Sequence, residues 1–313
     1  ELDCDGIPAV KPKIFDPDEA EQLRSRCQGS EAIVTAVKET EKKVKAPKLY
    51  DLTTLQREAN RIYGMTAKQT LDTAQSLYEK KLITYPRTDS QYLTEDMEQT
   101  ARNVVRQIYE KYQLTGPFDQ PEQPDVKKVM NNSKVTDHHA IIPTMELASC
   151  HLDELKSWEE KILFLIAVHT VMAMSKDHIY QETEIEVECQ GEIFKAKGKN
   201  VLQDGWKVFE NCFKNKDRMA IVDPDQEMKE RMPKVTQGQT FYAVAAEKTE
   251  HFTSPPKPYS EDTLLAAMET AGNKEFDEDT EKKGLGTPAT RAGIIEKLIY
   301  SQYATRKGKQ ILP

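Results

Sequence analysis

Thr53-Thr54-Leu55-Gln56-Arg57-Glu58-Ala59-Asn60-Arg61-Ile62-Tyr63-Gly64-Met65-Thr66-Ala67-Lys68-Gln69-Thr70-Leu71 contains two helix starts and one stop. Thr53-x-x-Gln56 and Thr66-x-x-Gln69 each have the form of a capping box, in which a hydroxyl and an amide side chain satisfy the free N–H groups of a first turn. Leu55, Ala59 and Ile62 then recur at helical spacing, as do Leu71, Ala74 and Leu77, and Gly64-Met65 separates the two runs. Helix, short glycine-bearing turn and helix make a helix-turn-helix arrangement. Thr94-Glu95-Asp96 predicts a third helix with Met97, Ala101, Val104, Val105 and Ile108 on one face, and Trp158 to Met174 a fourth, strongly apolar one. Pro117, Pro121 and Pro124 mark Gly116 to Ser133 as a loop.

The segments on either side of this helical stretch read as β-structure. Ala32-Ile33-Val34-Thr35-Ala36-Val37 is rich in β-branched residues, and Ile185 and Val187 alternate with Glu184, Glu186 and Glu188. Gln190-Gly191 turns that strand into Glu192-Ile193-Phe194-Lys195-Ala196, and Thr240 to Ala245 is a further strand candidate. The expected class is therefore α+β and multidomain. Residues 1–47 and 177–256 are expected to form a discontinuous, mostly-β domain, and residues 48–176 an inserted helical, winged-helix-like domain. After Pro255-Pro256-Lys257-Pro258, residues 257–313 begin a second helical, winged-helix-like module. There Ser260 starts one helix, Thr287 and Pro288 occupy the N-cap and first position of another, and Arg306-Lys307-Gly308-Lys309 turns a basic hairpin.

With 38% hydrophobic and 31% charged residues and no apolar run near the roughly 20 residues that span a bilayer, the chain is expected to be a non-membrane, cytoplasmic protein. Five scattered cysteines without a C-x-x-C pair suggest neither zinc nor a disulfide framework. A net charge of -8 speaks against indiscriminate wrapping of nucleic acid, though not against a local basic groove. The acidic runs at Asp16 to Glu19, Glu182 to Glu188, Asp223 to Glu230 and Glu275 to Glu281 read as solvated surface. The start at Glu1 and the end at Ile311-Leu312-Pro313 suggest an internal piece of a longer protein.

Three segments could carry chemistry. In Leu82-Ile83-Thr84-Tyr85-Pro86-Arg87-Thr88-Asp89-Ser90 a short apolar strand ends at Tyr85, and Pro86 keeps the preceding backbone extended. Arg87 then shares a face with Tyr85. A phenol with a pKa near ~10 is a poor nucleophile at neutral pH, so an adjacent guanidinium that favours phenolate and clamps phosphate suits attack on phosphorus. The ordinary alternative is a packing tyrosine and a local Arg87–Asp89 ion pair. In Thr136-Asp137-His138-His139-Ala140-Ile141-Ile142-Pro143-Thr144, adjacent histidines point to different sides, so one can face a site and donate to a phosphate; a functionless surface pair is the alternative. In Gly284 to Arg291, free N–H groups, Thr287, Thr290 and Arg291 could hold an anion, although many capped helices look the same.

Taken together, Leu55 to Arg61, Ala67 to Asp72, Ala74 to Glu79, Leu82 to Ser90, His138 to Thr144 and Gly284 to Gly293 resemble, in order, segments of type IA DNA topoisomerases of the bacterial topoisomerase III branch. That resemblance implies a toroidal, nucleoid-associated enzyme that acts on single-stranded DNA without ATP, with the discontinuous β domain as its gate domain and residues 257–313 as the start of a second DNA-binding domain. Tyr85 would be its nucleophile, forming a 5′-phosphotyrosine link, with Arg87 the cation at the scissile phosphate and His138 a phosphate-side partner. Arg57, Arg61, Thr287, Thr290 and Arg291 would be DNA contacts. It also implies Mg2+ held by a Toprim domain, which this sequence does not contain: Asp3-x-Asp5, Asp16-x-Asp18 and Asp223-x-Asp225 have the spacing but lack the preceding strand. No metal ligand is expected here, relaxation by this chain alone is not expected, and Tyr85 should be exposed without its partner domain. A non-catalytic helix-turn-helix module is the alternative, and it requires Arg57, Arg61, Lys68 and Lys80 on one groove-facing surface.

Overall fold

The computed structural model describes residues 14–114, 124–210, 233–272 and 284–313. The Gly116 to Pro121 part of the expected loop, Asp3-x-Asp5, Asp223-x-Asp225 and the acidic runs at Asp223 to Glu230 and Glu275 to Glu281 lie outside these residues. The fold is α+β with an antiparallel sheet, and the chain divides into two compact units: residues 1–44, 178–204 and 222–255, and residues 45–177, 205–221 and 256–313.

The first unit is built on a four-stranded sheet of order β3-β2-β1-β4, with β1 Ala32–Val44, β2 His178–Cys189, β3 Glu192–Gln203 and β4 Thr240–Phe241. Gln190 at φ 54° and Gly191 at φ 82° make the tight turn between β2 and β3, the backbone that a two-residue hairpin demands. The acidic run on β2 is not merely solvated. Lys195 meets Glu186 at 2.6 Å and Lys197 meets Glu184 at 3.2 Å across the hairpin, so alternating signs fix the register. The last strand stops after two residues, shorter than its apolar pattern predicts, because Ala243 turns to φ 54° and leaves the extended region. Helix α1, Pro17–Cys27, starts at Asp16, whose carboxylate accepts the N–H of Asp18 at 2.9 Å. Its last residue packs with Ala32 and Cys189 in a small core.

The second unit is organised around α5, Ser157–Ala173, which is buried on nearly every side. A helix that is apolar all round must be central, and α2 (Leu52–Tyr63), α3 (Ala67–Glu79) and α4 (Glu98–Tyr112) pack on it. The cap of α3 is the predicted pair Thr66 and Gln69. That of α2 is not the predicted Thr53 and Gln56. Asp51 is the N-cap, its carboxylate accepting the N–H of Thr54 at 2.7 Å, which moves Thr53 and Gln56 inside the helix and into the core. Gln56 instead donates to the carbonyl of Ala67 at 3.0 Å, tying the two helices together across the Gly64 turn.

Residues 256–313 belong to this second unit. Helices α6 (Glu261–Thr270) and α7 (Pro288–Tyr300) precede a hairpin of β5 (Thr305–Lys307) and β6 (Gln310–Leu312), and Leu265, Met268, Ala292 and Ile295 share a core with Ala67. Glu261 is buried there. It accepts the N–H of Ala67, the first residue of α3, at 2.6 Å, and pairs with Arg306 of the hairpin at 2.6 Å.

Candidate active site around Tyr85

Lys81 adopts φ 60° just past the end of α3 and folds the chain back, so that Ile83 pairs with Pro143 in an isolated antiparallel bridge. The N–H of Thr84 reaches Ile142 O at 3.0 Å and that of Thr144 reaches Leu82 O at 3.0 Å, which lays the tyrosine segment beside the histidine segment. Two hydroxyls then fix the loop between them. Thr84 Oγ1 donates to Ala140 O at 2.9 Å and accepts the N–H of Ile142 at 3.0 Å. Thr88 Oγ1 donates to His138 O at 3.0 Å and accepts the N–H of Ser90 at 3.1 Å, while Ser90 Oγ donates to Lys134 O at 2.8 Å. Thr88 and Ser90 are buried, as satisfied polar groups can be.

This bracing brings Tyr85 and His138 together, with ring centroids 4.3 Å apart. Tyr78, from the last turn of α3, meets Tyr85 edge-on at 5.4 Å. Tyr85 is half-buried between them rather than exposed as expected, because both neighbouring rings come from its own unit. Arg87 and His138 are exposed, and Arg87 has no hydrogen bond or ion pair among the described residues, the predicted pair with Asp89 included. His139 is turned away, its Nδ1 2.9 Å from Ala140 O. A phenol and an imidazole are thus held together by the braced loop and the histidine segment beside it, with the unspent guanidinium of Arg87 two residues along the loop, parts able to receive a phosphate diester.

The other predicted contacts sit differently. Arg57 is paired with Asp262 at 2.8 Å, and Arg61 with Glu58. Lys68 pairs with Asp72 and Lys80 with Glu159 at 2.6 Å, so each of the four cations that the helix-turn-helix alternative needs already has a carboxylate. Thr287 and Thr290 are exposed and cap α7 together, with the N–H of Thr287 on Thr290 Oγ1 at 2.9 Å. Arg291 is buried, donating to Thr53 Oγ1 at 2.9 Å and to Leu285 O at 3.2 Å. Gly284 at φ 65° enters this loop where a Cβ would stand 2.3 Å from Met268 O.

A family model described as DNA topoisomerase matches residues 8–313. The chain belongs to the DNA topoisomerase family. It is 38% identical to DNA topoisomerase 3 of Bacillus licheniformis over 96% of this chain and 41% of that protein. The values are 38%, 96% and 42% for DNA topoisomerase 3 of Bacillus subtilis, and 36%, 98% and 46% for that of Haemophilus influenzae. These relatives support the topoisomerase III branch, and this topoisomerase chain spans less than half of their length. Full-length topoisomerase I from Thermotoga maritima has the same fold, with a TM-score of 0.68 at 24% identity over 97% of this chain and 46% of that one.

Sequence reasoning on this topoisomerase missed Thr84, Thr88 and Tyr78. The spacing of the two threonines around Tyr85 was a visible signal, but their acceptors lie 50 and 56 residues away and carry no local mark. Among the described residues there is no group of three or more His, Cys, Asp or Glu that could hold a metal ion.

Proposed function

We propose that this chain supplies the cleaving half of a type IA topoisomerase active site. Tyr85 Oη attacks a phosphorus of single-stranded DNA, the P–O3′ bond breaks, and the phosphate stays on tyrosine as a 5′-phosphotyrosine ester while the 3′ oxygen takes up a proton. Arg87 neutralises the non-bridging oxygens as charge builds on them, and the His138 imidazole donates to the same phosphate. Return of the 3′-hydroxyl reverses the step after another strand has passed, and the ester conserves the bond so that no ATP is consumed. The observation that carries this reading is the contact of Tyr85 with His138 on a loop whose neighbouring arginine is uncommitted.

Magnesium use, by a Toprim domain of the intact cytoplasmic enzyme, belongs to the same proposal. Thr287 and Thr290, exposed at the start of α7, remain candidates for DNA contact. Arg57, Arg61 and Arg291 could join them only by giving up their present partners.

The test is to mix this chain with a separately expressed Toprim domain, magnesium and a labelled single-stranded oligonucleotide. The expected result is a denaturation-resistant adduct that maps to Tyr85 and is lost in Tyr85→Phe. No adduct, with both pieces folded and associated, would overturn the assignment. The chain alone is expected to bind single-stranded DNA weakly and to leave supercoils unrelaxed; relaxation at catalytic stoichiometry would contradict that.

A further inference from the structure

Tyr78 has no evident reason to be aromatic on grounds of packing. It is 39% exposed, it lies outside the hydrophobic core of its unit, and its hydroxyl makes no hydrogen bond among the described residues. Among the described residues its side chain makes one directional contact, the edge-on meeting with the Tyr85 ring at 5.4 Å and 79°. The backbone around it is fixed from two sides. Ser76 Oγ on α3 and Lys80 Nζ at its C-cap donate to the buried carboxylate of Glu159 on α5 at 2.7 and 2.6 Å, and Glu159 also accepts the N–H of Lys156 at 2.9 Å. At the turn, the N–H of Lys81 returns to Tyr78 O at 2.8 Å and that of Leu82 to Leu77 O at 2.9 Å. A helix end fixed in this way therefore sets one aromatic ring nearly perpendicular to that of the tyrosine seven residues downstream, whereas the His138 ring that Tyr85 also meets, at 4.3 Å, is tilted by 43°.

We propose that Tyr78 is a positioning residue for the DNA cleavage step, holding the Tyr85 ring between its own ring and His138 so that the phenolic oxygen approaches phosphorus along one line. This rests on the reading of Tyr85 as nucleophile. Tyr78 itself touches no reacting atom. The perpendicular ring pair is what acts, because a T-shaped contact is directional where an aliphatic contact is not. Attack geometry is sensitive to small displacements of the nucleophile, so a ring free to swing lowers the rate of the chemical step and leaves the binding of DNA unchanged.

The test uses the intact enzyme with magnesium and a labelled single-stranded oligonucleotide, measuring single-turnover adduct formation and DNA affinity separately. Tyr78→Leu is expected to slow adduct formation by about three- to tenfold, the size of one aromatic pair, with affinity unchanged and the protein still folded at the assay temperature. Tyr78→Phe, which keeps the ring and loses the hydroxyl, is expected to restore the rate. Should Tyr78→Leu be unfolded at that temperature, Tyr78→Met takes its place with the same expectation. A leucine or methionine variant at the parent rate, a phenylalanine variant as slow as the leucine one, or a loss of affinity in step with the rate would each overturn the proposal. Tyr85→Phe in the same assay separates the two claims. An adduct that survives Tyr85→Phe refutes the nucleophile, whereas one that vanishes there but forms normally in Tyr78→Leu refutes only the positioning role.

Discussion

The loop Thr84 to Ser90 and the segment Gly284 to Arg291 are made of similar parts, short stretches with hydroxyl side chains and one arginine, and they use those parts in opposite ways. In the first, Thr88 and Ser90 are buried on backbone carbonyls and Arg87 is left in solvent. In the second, Thr287 and Thr290 are in solvent and Arg291 is buried on Thr53 Oγ1 and Leu285 O. An anchor is needed in each case. Where neutral hydroxyls provide it, the cation stays available for a phosphate; where the cation provides it, the hydroxyls are what remains. An arginine near a helix start is thus not a DNA contact until its partners are known.

Substitutions at both arginines can break this contrast. Arg291→Ala is expected to lose about 3 kcal/mol of stability, since it removes charge-assisted bonds and leaves the buried hydroxyl of Thr53 without that donor. Chemical denaturation reads this directly, and a loss below about 1 kcal/mol would mean that the guanidinium is dispensable as an anchor. Arg87→Ala should leave stability within about 0.5 kcal/mol of the parent while cutting adduct formation with a supplied Toprim domain by about 10²-fold, roughly 2.7 kcal/mol of barrier. Unfolding of this variant would place Arg87 among the anchors.

Smaller effects sharpen the first half of the contrast. Thr88→Val should cost about 1–2 kcal/mol, because the carbonyl of His138 and the N–H of Ser90 lose a shared partner at an apolar, nearly isosteric side chain. Adduct formation should fall in the same variant, as the histidine segment is no longer held in register with Tyr85. The support beneath that segment also titrates. His169 is stacked on Tyr50 at 3.7 Å, its Nε2–H bonds Lys48 O at 2.7 Å, and the backbone carbonyl of Tyr50 accepts the N–H of Ile141 at 2.8 Å. Burial, against the pull of the Lys48 carbonyl, holds the imidazole down at about 4. A depressed histidine is neutral when folded and charged when unfolded, so its contribution is complete above the usual value near ~6.5 and is lost as pH falls toward 4. Between about pH 6.5 and 5.5 the loss should be about 1 kcal/mol, visible in the denaturation midpoint and flattened in His169→Gln.

Local patterns carried most of the secondary structure into view. Thr66 and Gln69 announce α3 because the capping box is complete within four residues. Thr53 and Gln56 match the same pattern, yet their side chains are committed elsewhere, Thr53 as acceptor from Arg291 and Gln56 as donor to Ala67 O, and Asp51 takes the cap. The apolar run at Thr240 predicts a longer strand than the backbone at Ala243 permits. The candidate site was legible as a segment, from Tyr85, Pro86 and Arg87, but not as a geometry. What holds Tyr85 to His138 is a set of bonds from Thr84 and Thr88 to carbonyls in a segment whose distance in sequence hides it, and what ties Arg291 down lies 238 residues away.

The carboxylate of Glu261 bears on how this chain can be divided. The prolines at 255, 256 and 258 read as a seam, and a protein engineer isolating the tyrosine-bearing helices would cut there. Such a piece would lose the acceptor for the first amide of α3, the apolar cover over Ala67 and the donor that reaches Thr53 inside α2. The helix that carries Tyr78 and leads into Tyr85 would then begin with an unsatisfied amide at its buried end. The smallest helical piece that keeps this loop in shape extends through the hairpin at Arg306, because the proline linker separates stretches of sequence that share one core.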